Sequence, residues 1–310
     1  MMMPAKVTIQ AFAKINLGLR ITGRQPDGFH DLQTIFQALD LSDRLICRAK
    51  RGPFEISCRA VSEQAAEKIP CDRTNLVWRA AELLWSAAGR EGEPRDTHVL
   101  LEKAIPTRAG LGGGSSDGAA ALLALRRLWK LRVSDVELRT MAATLGSDVA
   151  FFLVGGTALG LGRGEQVYPL ADLPPWWAVL AFPPFGIATA DAYAWFDEDT
   201  AKTQAPPAVP VRYLPDTWLG RFIPLVNDLE IPVIRRHPAI GALRDRLGSM
   251  GALTAGMSGS GSTVFGIFKT PGPARKAARA LRRSGANAVC VRMMDRKQIR
   301  RFQGSKVLGC

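Results

Sequence analysis

Histidine, cysteine and tyrosine are scarce in this chain of 310 residues, which has three His, five Cys and three Tyr. His30, His98 and His237 lie far apart in the sequence, so a zinc site or a histidine-based catalytic triad has little support. The cysteines are odd in number, and no two of them form a C-x-x-C motif. We therefore expect reduced thiols rather than a disulfide framework.

Long apolar runs are also lacking. No run approaches the roughly 18 residues that a membrane-spanning helix requires, because Gly or Pro interrupts the best candidates near residues 149–161 and 175–188. The N-terminal residues do not have the charged-then-apolar layout of a secretion signal. A composition of 47% hydrophobic and 22% charged residues is typical of a globular protein. We expect a cytoplasmic enzyme with no membrane partner, and the sequence leaves the oligomeric state open.

Acidic residues are nearly absent from the C-terminal end, and this accounts for most of the net charge of +13. Residues 269–310 contain twelve Lys and Arg and one acid, Asp295, and therefore carry +11. Such a segment could contact RNA or anionic lipid, or it could form a solvated helix face and a frayed tail. Phe302 is the one aromatic residue among these charges. We favour the solvated face and expect no nucleic-acid partner.

Glycine, in contrast, is abundant and clustered. Residues 106–116 read PTRAGLGGGSS and lead into DGAAALLALRRLW, an apolar run with helical spacing. Glycine lets the backbone approach a ligand closely, and the first turn of a helix offers unpaired N–H donors and the positive end of the helix dipole. This pattern predicts polyphosphate binding. The alternative is an ordinary glycine-rich turn whose helix is capped by Ser115 or Ser116.

This segment fits neither of two common phosphate-binding motifs. A Walker A loop requires G-x-x-x-x-G-K-[ST], and no Gly-Lys pair occurs in the chain. Gly110 and Gly112 have the spacing of the Rossmann fingerprint, but Ser115 takes the place of its third glycine. The sequence therefore predicts a phosphate loop of a third kind.

A second glycine-serine stretch, GMSGSGS at residues 256–262, lies between two predicted strands. Alone it would fit a flexible hairpin loop; together with the first loop it suggests closure over a phosphate chain.

Lys14 and Asp148 are charged residues in otherwise apolar surroundings. An ion pair or an exposed edge would explain either one alone, but beside a phosphate loop they suggest phosphoryl transfer, in which a carboxylate accepts a hydroxyl proton and an ammonium orients it.

Periodicity and turn residues predict two β-rich parts. The first is predicted to have strands at 6–22, 32–39, 44–50, 54–60 and 97–103, helices at 75–88, 116–130 and 134–145, and a β segment at 150–169. Asn75 and Ser134 are the predicted N-caps, the second in a capping box with Glu137, and Gly89 is a predicted stop. The second part is predicted to have strands at 176–182, 251–255, 263–268 and 287–294, helices at 189–196, 217–247 and 272–284, and a loop at 197–216. The β-β-α-β order at the end favours an antiparallel sheet with helices on one face.

Four segments resemble, in chain order, the motifs of the GHMP kinase superfamily. They are AFAKINLGLRITGRQPDGFHDLQTIFQALDLSD, IPTRAGLGGGSSDGAAAL, LGSDVAFFLVGGTALGLGRGE and AGMSGSGSTVFGIF. The resemblance covers most of residues 8–190 and 225–268, is thin over 197–216 and is absent after about residue 295. The glycine-rich loop indicates only the superfamily. Two features are similar to the branch that phosphorylates 4-diphosphocytidyl-2-C-methyl-D-erythritol in non-mevalonate isoprenoid biosynthesis: the opening AKINLGL with DGFHDLQT, and the pair LGSDVAFF and GGTALGLGRGE.

The resemblance implies an α+β fold of two domains with the active site between them. The N-terminal domain, residues 1–170, would resemble domain 2 of ribosomal protein S5, and the C-terminal domain, residues 171–295, would be ferredoxin-like. Residues 296–310 would form a basic tail.

The resemblance also implies roles for individual residues. Lys14 and Asp148 would form the catalytic pair, with Asp148 as the base. The predicted ATP-binding residues are Pro106, Thr107, Arg108, Ala109, Gly110, Leu111, Gly112, Gly113, Gly114, Ser115, Ser116, Gly259, Ser260 and Gly261. The predicted substrate-binding residues are Asn16, Phe29, His30 and Tyr193: Asn16 would position the substrate, His30 would contact the cytosine edge, and Phe29 and Tyr193 would cover the two faces of the cytosine. Phe29 stands where this branch more often has Tyr, so a ring can stack there without a hydroxyl group. Ser116 is a candidate magnesium contact.

The function implied is a magnesium- and ATP-dependent transfer of phosphate to the 2-hydroxyl of this cytidine diphosphate ester. Two alternatives stay open. One is another GHMP kinase, acting on mevalonate, homoserine or a sugar. The other is a basic RNA- or membrane-associated scaffold that keeps a kinase fold.

Overall fold

A large antiparallel sheet forms the N-terminal half of the molecule. The computed structural model describes residues 6–62, 69–203 and 226–303. Within these ranges the first sheet has six strands: β1 (Lys6–Arg24), β2 (His30–Pro53), β3 (Glu55–Ala60), β4 (Arg95–Lys103), β5 (Thr157–Leu161) and β6 (Gln166–Pro169). Their order is β3-β4-β2-β5-β6, with β1 paired to β2. Only β3 and β4 run parallel; the other pairs are antiparallel.

Strand β2 corrects the prediction of separate strands at 32–39 and 44–50. Ser42 and Asp43 lie between the two predicted strands, but both continue the ladder with β1. Asp43 is fully buried, and its carboxylate accepts hydrogen bonds from the backbone N–H groups of Ala104 and Ile105, at 2.6 and 2.8 Å. A buried polar group with partners of this kind is tolerated inside a strand.

The helices of this half cover one face of the sheet. They are α1 (Leu76–Ala87), α2 (Gly113–Leu128), α3 (Asp135–Leu145) and α4 (Val149–Val154). Two predicted caps are confirmed: the Asn75 side chain accepts from the N–H of Val77, and Ser134 and Glu137 form the capping box. Gly89, just after α1, has a left-handed φ of +67°, as expected at a helix stop.

The prediction of a β segment over 150–169 is wrong in its first third. Residues VAFFLV form α4, which ends where Gly155 adopts a φ of +68°. A six-residue apolar run has no periodicity that separates a buried strand from a buried helix. The strands of this segment, β5 and β6, begin only at Thr157.

A second antiparallel sheet forms the C-terminal half. Its strands are β7 (Trp177–Phe182), β8 (Thr254–Met257), β9 (Val264–Phe268) and β10 (Asn287–Arg292), in the order β10-β7-β9-β8. The helices of this half are α5 (Thr189–Thr203), α6 (Glu230–Arg236), α7 (Pro238–Ser249) and α8 (Pro271–Arg283). Helices α7 and α8 pack on the sheet, α7 on β8 and β9 and α8 on β7, β9 and β10. The expected antiparallel sheet with packed helices is therefore present.

Helix α5 is longer than predicted, because residues 197–203 continue it. The remainder of the predicted loop, residues 204–216, lies outside the described residues. The same is true of residues 217–225 of the predicted helical region.

The two sheets share a core. Buried side chains of β1 and β2, among them Ile15 and Ile35, pack with Leu180 of β7 and Ile267 of β9. This packing brings the two halves together around the cavity described below. The predicted division at residues 170 and 295 stays a prediction.

The predicted basic tail, residues 296–310, begins with a docked helix, α9 (Arg296–Phe302). Ile299 is 3% exposed and belongs to the core of the first sheet. A Cβ added to Gly155 would lie 3.0 Å from Cδ1 of Ile299, so the glycine leaves room for this side chain. The guanidinium of Arg296 donates to the carbonyl oxygens of Thr157 and Leu170, at 2.9 and 3.2 Å. Residues 304–310 of the predicted tail lie outside the described residues.

Among the described residues, helices with the length and apolar character needed to cross a membrane are absent.

Ile299→Ala should lower the free energy of unfolding by about 2–4 kcal/mol, because the substitution leaves a cavity in the first core. Arg301→Ala, an exposed change in the same helix, is the control and should shift it by less than about 0.5 kcal/mol. Urea unfolding checks both variants. Equal, small effects would contradict the docking of α9.

Candidate active site

A cavity of about 1140 Å³ opens between the two halves of the molecule. With the exception of Ser116, every residue that the sequence predicted for the site lines it. These are Lys14, Asn16, Phe29, His30, Pro106, Thr107, Arg108, Ala109, Gly110, Leu111, Gly112, Gly113, Gly114, Ser115, Asp148, Tyr193, Gly259, Ser260 and Gly261. The geometry thus brings together residues from both sheets and from several connecting loops. Their individual roles stay predictions.

The glycine-rich loop ends three residues earlier than predicted. Helix α2 begins at Gly113, and its N-cap is Gly112, with a φ of +68°, so neither Ser115 nor Ser116 caps it. The first bond at this end runs from the N–H of Ser116 to the carbonyl of Gly112, at 2.9 Å. The N–H groups of the preceding three residues have no intrahelical acceptor. Because those three residues line the cavity, its wall offers an anion site at a helix N-terminus.

Ser116 does not share this wall. It is 2% exposed and faces the protein interior, whereas Ser115 lines the cavity. In this geometry the Ser116 hydroxyl does not reach the cavity, where the predicted magnesium contact would have to form. Ser115 is the residue of this pair that offers a hydroxyl group to a ligand there.

The second glycine-serine stretch packs directly on the first loop. The hydroxyl of Ser258 donates to the carbonyl of Gly110 at 2.8 Å, and the N–H of Thr263 donates to the carbonyl of Ala109 at 3.3 Å. Gly110 has a φ of +71°, and a Cβ there would lie 2.1 Å from the carbonyl oxygen of Ser258. Only glycine permits this approach. The contact sets residues 259–261 across from the start of α2.

Asn227, which the sequence analysis did not identify, supports this second loop. Its buried amide donates to the carbonyls of Met257 and Gly259, at 2.9 and 2.8 Å, and accepts from the N–H of Leu229 at 3.1 Å. Glu230 accepts from the N–H of Met257 at 2.7 Å. In the sequence, the only local sign of these two residues is the polar cluster NDLE at 227–230. Its pattern does not show which residues Asn227 and Glu230 contact.

Lys14 and Asp148 meet at the cavity. The ammonium of Lys14 is 3.1 Å from Oδ2 of Asp148 and donates to Oδ1 of Asn16 at 2.5 Å. Lys14 and Asn16 share one face of β1 because side chains two apart in a strand point the same way. The amide of Asn16 also donates to the hydroxyl of Thr34 at 2.7 Å. Lys14 is buried, while the Asp148 side chain is 30% exposed, so the carboxylate is the partner that faces the cavity.

A second buried charge cluster, also missed from sequence, lies behind the start of α2. The ammonium of Lys103 bridges Asp43 and Asp117, at 2.6 Å from Oδ2 of Asp117. Burial raises the pKa of Asp117 to about 8, although the charge of Lys103 opposes the shift. Burial alone would lower the pKa of Lys103, but the two carboxylates raise it. The cluster joins β2, β4 and α2, and so fixes the first turns of α2 against the sheet.

The predicted base-binding residues lie at the other end of the cavity. Nε2 of His30 is 2.7 Å from Oδ1 of Asp197, and the His30 ring stacks on Tyr193 with centroids 4.9 Å apart. Burial, together with the charge of Asp148, raises the pKa of the Tyr193 hydroxyl. Phe29 is 57% exposed and offers a ring face to a ligand. These are aromatic surfaces suited to stacking on a planar base.

Two family descriptions match the sequence. Residues 75–156 match the GHMP kinases N terminal domain, and residues 216–287 match the GHMP kinases C terminal domain.

Two relatives that match over most of their length carry the same name. The chain is 40% identical over 291 residues to the 4-diphosphocytidyl-2-C-methyl-D-erythritol kinase of Pelotomaculum thermopropionicum, covering 93% of this chain and 98% of the relative. It is 41% identical to the enzyme of the same name from Anaeromyxobacter dehalogenans, covering 93% of this chain and 90% of the relative.

Solved structures show the same fold. A crystal structure of 4-(cytidine 5'-diphospho)-2C-methyl-D-erythritol kinase matches with a TM-score of 0.77 and 38% identity, covering 93% of this chain and 99% of that one. A homoserine kinase from Cytophaga hutchinsonii matches with a TM-score of 0.69 and 18% identity, covering 95% of this chain and 96% of that one. The second likeness concerns the fold alone.

Gly110→Ala should lower the free energy of unfolding by about 2–4 kcal/mol, because the added methyl group overlaps the Ser258 carbonyl and the left-handed φ is strained. Gly114→Ala is the matched control: nothing lies within 4 Å of its added Cβ, and helix propensity favours alanine by up to about 1 kcal/mol. Chemical denaturation without ligand measures both. Equal stabilities would contradict the close approach of the two loops.

Proposed function

The chain belongs to the GHMP kinase family, and from this membership we propose that it transfers the γ-phosphate of ATP to the 2-hydroxyl of 4-diphosphocytidyl-2-C-methyl-D-erythritol, in non-mevalonate isoprenoid precursor biosynthesis. The observation that carries the proposal is the Lys14–Asp148 pair on the wall of a cavity that also contains a helix N-terminus. A cytoplasmic location is part of the proposal.

ATP would bind with its phosphates at the start of α2. In the proposed site, the backbone N–H groups of Gly113, Gly114 and Ser115 donate to phosphate oxygens, and residues 106–112 and Gly259–Gly261 surround them. The support is the exposure of this helix end to the cavity and the packing of the two loops against each other. Phosphoryl transfer requires mainly alignment and neutralisation of charge, which such donors supply.

Asp148 is the proposed base. Its carboxylate accepts the proton of the substrate hydroxyl as that oxygen bonds to the γ-phosphorus, and the bond from the γ-phosphorus to the bridging oxygen breaks to release ADP. Lys14 would hold the carboxylate in place and balance the negative charge that gathers there. Asn16 supports this arrangement, since its Oδ1 accepts from Lys14 and its amide is anchored on Thr34.

Magnesium fits the site as an ion that arrives with ATP. In the part of the chain that the structure describes, groups of three or more His, Cys, Asp or Glu side chains that could hold a metal ion are absent. Mg²⁺ usually keeps several waters and binds substrate phosphates with one or two protein oxygens. Ser115, which lines the cavity, is an oxygen donor available for that role. When bound, the ion would neutralise charge on the transferred phosphate.

The cytidine end of the substrate would bind at the aromatic end of the cavity. Phe29 and Tyr193 are proposed to provide its stacking surfaces, and His30 its edge contact. The Asp197 carboxylate at Nε2 supports a fixed orientation of the His30 ring. Mevalonate and homoserine have no base that would use these aromatic groups.

An ATP-consumption assay over a panel of alcohols tests the function. We expect kcat/KM for the cytidine diphosphate ester to exceed that for mevalonate, homoserine or galactose by at least about a hundredfold, because only the ester uses the aromatic end of the cavity. Preference for any other alcohol would overturn the substrate assignment. Absence of ADP formation with all of them would overturn the kinase assignment.

Asp148→Asn should lower kcat by about 10²–10⁴-fold, since the amide cannot accept the hydroxyl proton. The KM for ATP should stay within about threefold, because the proposed ATP contacts are made by other residues. Asp191→Asn, an exposed change on α5, is the control and should leave kcat unchanged. Steady-state kinetics measure these values, and urea unfolding confirms that both variants are folded. A near-normal kcat for Asp148→Asn would remove the residue from the base role.

A further inference from the structure

Phe29 projects from the tight turn that joins β1 to β2. The turn is closed by a bond from the N–H of Gln25 to the carbonyl of Phe29, at 2.7 Å, and by one from the N–H of Gly28 to the carbonyl of Gln25, at 2.9 Å. Gly28 has a left-handed φ of +89°. These bonds fix the backbone of Phe29. They do not hold its ring, which is more than half exposed.

Arg163 reaches this turn from another hairpin, the connection between β5 and β6. Its backbone N–H donates to the Glu165 carboxylate at 2.8 Å, between Gly162 and Gly164, whose φ values are +68° and +110°. This tight turn holds the arginine at the cavity wall.

The guanidinium of Arg163 makes three kinds of contact with the β1–β2 turn. Its Cζ atom lies 4.1 Å from the centroid of the Phe29 ring. Nη2 and Nε donate to Oε1 of Gln25, at 2.8 and 3.1 Å. Nη2 also donates to Oδ2 of Asp27. The guanidinium thus covers one face of the Phe29 ring, while its N–H groups donate to Gln25 and Asp27 of the same turn.

We infer that Arg163 is a positioning residue for substrate specificity: it covers one face of Phe29, locks the ring and the turn together, and leaves the opposite face open to the cytosine base. The inference rests on the proposed function, because it assigns Phe29 to the cytidine end of the substrate. A stacking surface that is ordered before binding saves the conformational entropy that would otherwise be lost on binding. It also makes substrate affinity depend on a residue that need not touch the substrate.

Arginine is the residue type that this role requires. A planar guanidinium stacks flat on an aromatic ring and donates in its own plane at the same time, whereas a lysine ammonium is a point charge that does neither in this geometry. The other charged groups near the turn have partners of their own. Arg24 is 3.5 Å from Asp197, which also pairs with His30.

Arg163→Met tests the inference, because methionine keeps an unbranched side chain and removes both the charge and the donors. We expect the KM for the cytidine diphosphate ester to rise by about three- to thirtyfold, the range that corresponds to a partly desolvated cation–π contact. The values of kcat and of the KM for ATP should stay within about twofold. Arg163→Lys should behave like Arg163→Met; full rescue by lysine would show that charge alone matters and would overturn the inference.

A double-mutant cycle with Phe29→Leu tests whether Arg163 acts through the ring. In the Phe29→Leu background, Arg163→Met should change the KM for the ester by less than about twofold, since there is no ring left to position. Independent, multiplicative effects of the two substitutions would overturn the inference. Arg126→Met is the control, because Arg126 is a half-buried arginine paired with Asp135 at 2.9 Å and is absent from the cavity wall. It should leave all three constants unchanged.

The proposed function and the role of Arg163 can be overturned separately. If the unsubstituted protein does not turn over the ester, both the proposed function and the role of Arg163 are overturned. If it does turn over the ester and Arg163→Met leaves the ester KM unchanged, only the role of Arg163 is overturned.

Discussion

The burial of the Lys14 ammonium is the constraint on which the site depends. At 4% exposure, a cation requires partners that replace its hydration. The partners are the Asp148 carboxylate, the Asn16 amide and the ring of Phe36, whose centroid is 5.6 Å from Nζ. These groups come from β1, β2 and the residue that precedes α4. Satisfying one buried charge therefore fixes the relative positions of several elements, and it holds a carboxylate at the cavity with an oxygen available to a substrate.

The phosphate end of the cavity depends in addition on a close contact between two backbone segments. The glycine loop before α2 and the loop at 256–262 approach so closely that Gly110 lacks space for a Cβ. One loop belongs to the first half of the molecule and the other to the second. The Ser258 hydroxyl donates a hydrogen bond to the carbonyl of Gly110 and so joins the two loops. The Asn227 amide donates to the carbonyls of Met257 and Gly259 and so supports the second loop. An anion bound there would be surrounded by main-chain donors from both halves, which is the arrangement that the glycine content of the two stretches suggested.

Site residues that lie in a continuous motif could be predicted from the sequence. Site residues whose role depends on contacts with residues distant in sequence could not. Lys14, Asp148 and both glycine loops stood out because charge in an apolar strand, or several glycines before a helix, is unusual locally. Asp43 fell between two predicted strands, and its partners, the N–H groups of Ala104 and Ile105, lie 61 and 62 residues further along the chain. Asn227 and Arg163 have ordinary local surroundings, and their contacts arise only from the packing of separate elements. The start of α2 was misplaced by three residues because glycine at the cap leaves no side-chain signal, and α4 was misassigned because its apolar run is short.

The docking of α9 has a consequence for how the chain acquires its structure during synthesis. Ile299 and Met294 complete a core whose other residues come from the first sheet, its helices and the loops that connect them. As the polypeptide leaves the ribosome from its N-terminus, the place of Ile299 beside Gly155 stays empty until α9 has emerged. Nascent domains generally fold as units in order of synthesis, but here the core of the first half includes α9, a helix that follows the second half in the chain. Full packing of the N-terminal half therefore requires a segment that is synthesised after the C-terminal half.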